Sequence, residues 1–73
     1  MKKATMKIYA VGIDYEEYDD VFYAKLEDAV KDFLDILRDD MDYVEEETII
    51  NELKQGRYYV RGKYHIYKKE LIL

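Results

Sequence analysis

The spacing of hydrophobic positions changes along the chain, and each change marks an element. Met6 to Ile13 reads Met-Lys-Ile-Tyr-Ala-Val-Gly-Ile; it is rich in β-formers and runs into acidic, turn-like residues, which predicts a strand. Tyr15 to Asp20 is polar and predicts a loop. Val21 to Ala24 is a short β-prone run placed to pair antiparallel with the first strand. From Leu26 to Met41 the apolar residues Leu26, Ala29, Val30, Phe33, Leu34, Leu37 and Met41 recur at three- and four-residue spacing. That is one face of a helix. Glu27 and Asp28 fall in its first turn, where they complement the helix dipole, and Asp32, Asp35 and Asp39 fall on its outer side.

Asp42-Tyr-Val-Glu45 resembles a capping box and predicts a second helix from about Val44 to Gln55. Ile49, Ile50 and Leu53 face inward on it, and Gly56 suits a left-handed stop. After Arg57 the period becomes two. Tyr58, Val60, Gly62, Tyr64 and Ile66 alternate with Arg57, Tyr59, Arg61, Lys63, His65, Tyr67 and Lys69. The pattern favours one long bent strand with a basic-tyrosine face; a hairpin turning at Arg61-Gly62 is the competing reading. The expected fold is a single α+β domain over residues 1–73, a small antiparallel sheet with helices on one face, in the order strand, strand, helix, helix, strand.

Size makes the core thin. The chain has 73 residues and no cysteine, so neither a disulfide nor a thiolate metal site supplements it. Nine tyrosines lift the hydrophobic share to 49%, enough for a packed core with phenolic hydroxyls at its edge. Homodimerisation is a natural supplement at this length. No apolar run approaches the roughly twenty residues that span a bilayer. Met1-Lys2-Lys3 begins like a signal peptide, but Lys7, Asp14, Glu16 and Glu17 interrupt any apolar region after it. A net charge of −5 disfavours anionic membranes. A cytoplasmic protein is the expectation.

Charge is sorted along the chain. Asp14 to Glu52 holds sixteen of the seventeen acids against Lys25, Lys31 and Arg38, or 3 − 16 = −13. The first thirteen residues carry +3, and Leu53 to Leu73 carries 6 − 1 = +5. Such fields guide association more than they shape a fold.

Catalytic chemistry has little to work with. The chain has no serine and no cysteine, and one histidine, His65. A serine or cysteine triad cannot be assembled, and one histidine cannot supply a zinc site. Asp40-Met-Asp42 begins like a calcium loop but has Glu45 where the turn glycine belongs and Asn51 where the bidentate glutamate belongs. No cofactor is implied, and no enzyme activity is expected. His65 itself reads as a solvated neighbour on the polar face of the last strand.

Two surfaces could bind. The first is acidic: Glu16, Glu17, Asp19 and Asp20 in the loop, with Asp39, Asp40 and Asp42 around the end of the first helix, interleaved with Tyr15, Tyr18 and Tyr43. Carboxylates so spaced can occupy the phosphate positions of a basic nucleic-acid groove, and tyrosine is enriched at interfaces. Reversing the four loop acids to lysine would then remove binding and leave the fold intact. The second surface is Arg57, Tyr59, Arg61 and Lys63, cations and aromatics that could hold a nucleotide or a single strand. A ligand-free dimer is the third possibility.

The opening Met-Lys-Ile-Tyr-Ala-Val-Gly-Ile, followed by Val-Phe-Tyr-Ala-Lys-Leu-Glu-Asp-Ala-Val, resembles the strand–strand–helix start of small acidic early proteins of bacteriophages of low-G+C bacteria. The likeness covers roughly the first half of the chain. It implies a class in which many members block host defences, including anti-CRISPR proteins, restriction inhibitors and sponges for signalling nucleotides. It transfers no site residue. Taken with the acidic surface, it makes a host protein with a basic nucleic-acid-binding site the expected partner.

Overall fold

A computed structural model describes residues 4–14 and 19–72. Its elements are β1 (Thr5–Ile13), β2 (Val21–Tyr23), α1 (Leu26–Asp39), α2 (Glu46–Leu53), β3 (Arg57–Val60) and β4 (Tyr64–Ile72). The sheet runs β2-β1-β4-β3, with every neighbouring pair antiparallel. The class is α+β, as the pattern predicts.

The basic, tyrosine-rich segment is not one bent strand. It turns back on itself at Arg61–Lys63, so that Tyr59 pairs with His65 and Val60 with Tyr64. Arg61 and Gly62 both take positive φ, 53° and 69°, and Lys63 N–H donates to the Val60 carbonyl at 3.2 Å. Left-handed φ at successive central residues is the primed-turn geometry that suits the twist of paired strands. β4 then lies between β3 and β1, pairing with β1 from Ile13↔Tyr64 to Thr5↔Ile72.

Both helices cover one face of this sheet. Ala29, Val30, Phe33 and Leu37 of α1 and Ile49 and Leu53 of α2 meet Val11, Tyr64 and Ile66 in one buried cluster. Each large apolar side chain removed from water here contributes about 1.5–3 kcal/mol. The alternation of β4 thus puts Tyr64 and Ile66 under the helices and His65 and Tyr67 on the opposite face.

The helix ends differ from the expectation. α1 stops at Asp39, and Met41 lies beyond it at φ 59°. Met41 N–H donates to the Arg38 carbonyl at 2.9 Å and Asp42 N–H to the Leu37 carbonyl at 2.8 Å. That pair of bonds is a Schellman closure, with methionine where glycine is usual. The capping box does not form, because the Asp42 backbone closes α1 and its side chain turns to Arg61. Glu45 takes the N-cap position of α2 with no side-chain capping bond. Gly56 has φ 111°, the left-handed stop expected after α2. No helix among the described residues is long and apolar enough to cross a membrane.

Candidate functional site

On the sheet face away from the helices, His65 is buried with 8% of its surface exposed. Its Nδ1 lies 2.6 Å from Asp14 Oδ1 and its Nε2 lies 2.7 Å from Asp20 Oδ1. Tyr67 donates its hydroxyl to the second Asp20 oxygen at 3.1 Å, and the Tyr59 ring meets the imidazole edge-on at 5.9 Å. The solvated reading of His65 therefore fails. Both ring nitrogens face carboxylates. Partial burial first, then the hydrogen bond and charge of Asp20, raise the Tyr67 phenol above its ordinary value.

With a carboxylate against each nitrogen, the imidazole presents neither of them to a metal ion. It ties the two ends of the β1–β2 connection to the sheet instead. Among the described residues, no group of three or more His, Cys, Asp or Glu side chains is disposed to hold a metal ion.

The sequence-derived acidic contacts separate into three groups. Tyr15, Glu16, Glu17 and Tyr18 lie outside the described residues. Asp19 is exposed, but Asp20 is committed to His65 and Tyr67. Reversing Asp20 would therefore disturb the fold, contrary to the expectation for the four loop acids. Asp39, Asp40, Asp42 and Tyr43 lie at the C-terminal end of α1 and just beyond it, and Tyr43 is 74% exposed.

The basic set meets these acids. Arg61 pairs with Asp42 at 3.0 Å, and Lys63 reaches Asp40 at 3.7 Å while its ammonium stands 4.9 Å from the Tyr64 ring centre. Because of the hairpin, Arg61 and Lys63 sit in the turn. Arg57 and Tyr59 are on β3 and exposed. The four do not form the continuous strand face on which the single-strand or nucleotide reading depends.

What remains unpaired is the helical layer. Residues 26–53 carry 2 − 11 = −9, and Arg61 and Lys63 reduce that to −7. Glu27, Asp28, Asp39, Glu45, Glu46 and Glu47 are exposed and have no ion-pair partner among the described residues. Asp35 pairs with Arg38 at 3.6 Å, and Asp32 accepts from the Tyr23 hydroxyl at 2.6 Å.

No protein-family model, curated protein or solved structure matches the chain. The chemistry of its surfaces is the remaining guide to function. Sequence reasoning missed the His65 tie because its partners lie 51 and 45 residues away.

Proposed function

We propose that this protein is a non-enzymatic binder whose acidic helical layer occupies a basic, nucleic-acid-handling site on another protein. The supporting observation is the −7 that the layer retains after both hairpin-turn cations are counted against it. α1 extends about 21 Å at 1.5 Å per residue, so its carboxylates and those of α2 span a length comparable with several phosphates. Long-range attraction of that kind accelerates encounter and weakens with salt. The resemblance to phage early proteins sets this activity in the cytoplasm of a bacterial host, as an inhibitor of a defence or nucleic-acid-processing protein.

The test is capture from a low-G+C bacterial lysate at low and moderate salt, read by mass spectrometry, beside a Glu27→Lys, Asp28→Lys, Glu46→Lys, Glu47→Lys variant. All four positions are exposed, but each is a first-turn acid that favours its helix dipole, so the comparison requires circular dichroism showing that both helices survive. A basic nucleic-acid-binding protein held by the wild type, released by salt and absent from the variant supports the reading. Equal capture by both chains, with unchanged salt dependence, defeats it.

A further inference from the structure

Lysines from three elements surround one cleft in this acidic chain. Lys7 of β1, Lys68 of β4 and Lys54 just beyond α2 rim a cleft of about 200 Å³ whose apolar lining is Tyr9, Leu26, Ile50 and Leu53. None of the three lysines is in an ion pair among the described residues. The cleft is smaller than the roughly 300–1,000 Å³ of ordinary ligand pockets. Its size suits one or two apolar side chains, and its rim calls for carboxylates around them.

The same chain carries such a group at the other end of α1. Met41 is 96% exposed and Tyr43 74% exposed, and Asp39, Asp40 and Glu45 stand beside them in the sequence. Met41 departs from local preference twice, in its left-handed φ of 59° and in its bare side chain. Strain of this kind concentrates at functional positions. Leu26 opens α1 and lines the cleft, whereas Met41 lies just past the helix's far end. The roughly 21 Å of helix between them prevents one copy from filling its own cleft.

We propose that the Met41–Tyr43 knob of one copy seats in the lysine-rimmed cleft of the next, giving head-to-tail self-association. Apolar tips enter the cleft while Asp39, Asp40 and Glu45 meet Lys7, Lys54 and Lys68. The Lys63–Asp40 contact, between half-exposed groups at 3.7 Å, is loose enough to yield. Contacts between two different patches close into a ring or continue as a filament. Neither the cleft nor Met41 enters the acidic-layer reading, so this inference goes beyond it.

Sedimentation velocity on the purified full chain tests it, across protein concentration at low and moderate salt. Association beyond the monomer that rises with concentration and weakens with salt is expected. A cleft variant, Lys54→Glu with Lys68→Glu, and a knob variant, Met41→Gly with Tyr43→Lys, should each be monomeric. Mixed in equal amounts, they should form a species of two chains and none larger, because one intact knob and one intact cleft remain. If the double cleft variant loses its helical signal, Lys54→Glu alone replaces it.

A wild type that stays monomeric at every concentration overturns the proposal. So do variants that associate like the wild type, which would place the contact elsewhere, and a mixture that forms no two-chain species. Octanoate that raises the melting temperature of a strictly monomeric wild type would assign the cleft to a small amphipathic anion, again overturning it. A monomer that still captures a basic protein from lysate would do so while leaving the acidic-layer reading intact.

Discussion

Gly12 lies directly across the β1–β4 ladder from His65, and its missing side chain makes the space that the Asp20 carboxylate fills. A Cβ built on Gly12 overlaps Asp20 Oδ1 and comes within 2.8 Å of His65 Nε2. Glycine is needed here for close approach.

Gly12→Ala should therefore expel Asp20 from His65 and cost about 1–3 kcal/mol, the range for overpacking or a lost buried hydrogen bond. The diagnostic is coupling. In an Asp20→Ala background the main clash is gone, so the added methyl should cost much less. Urea denaturation of the four chains of this cycle measures it. Equal costs in both backgrounds would show that Asp20 does not occupy the notch.

Tyr23 and Asp32 pin β2 to α1 through a 2.6 Å hydrogen bond. That bond, with partial burial and the charges of Asp32 and Asp28, pushes the Tyr23 phenol from 10.0 up to about 12. A raised folded-state value means the native state holds this proton more tightly than the unfolded chain. Its contribution to stability is complete below pH 10 and is lost as pH rises from 10 toward about 12. Tyr67 shifts in the same direction. Tyr23→Phe should cost about 1 kcal/mol at neutral pH and flatten the alkaline loss of stability, as thermal melts across that window would record.

Periodicity made most of the fold legible. The three- and four-residue spacing from Leu26 onward marks α1, and β-rich runs mark β1 and β2. What escaped depended on backbone conformations that the residue types disfavour. Arg61 and Met41 both adopt left-handed φ, which non-glycine residues seldom do. The hairpin came second to a continuous strand because apolar alternation continues through Gly62, and the end of α1 was hidden because Met41 continues its stripe. The candidate site was harder to read. His65 finds its carboxylates across the chain, and Lys7, Lys54 and Lys68 converge only after the sheet and α2 assemble. Charge sorting did foreshadow that acids and bases would meet, though as pairing within the molecule at Asp42–Arg61 and Asp40–Lys63.

The Asp42–Arg61 pair is asymmetric, and its two halves should respond differently to removal. Asp42's side chain is 14% exposed while Arg61's is 70% exposed. One Asp42 oxygen faces the guanidinium, and the other is buried without a protein partner. Arg61→Gln strands a carboxylate that water reaches poorly and should cost about 1–2 kcal/mol. Asp42→Ala leaves an arginine already in solvent and should cost under about 1 kcal/mol. Denaturant midpoints of the two single variants decide the order, and a reversed order would mean that the pair acts as an ordinary surface contact.

Met41 separates stability from association. A non-glycine residue in left-handed φ costs roughly 1–2 kcal/mol, while glycine gives back about 0.5–1 kcal/mol through its larger entropy when unfolded. The Met41 side chain is 96% exposed, so its removal forfeits almost no packing. Met41→Gly should thus leave the Schellman closure of α1 in place and raise stability by about 0.5–1 kcal/mol. Self-association through the knob should weaken in the same variant. A residue kept only for folding would not show opposite signs in the two measurements. Denaturation and sedimentation on one preparation give both. A stability gain without loss of association would leave methionine at this position unexplained by the contact proposed for it.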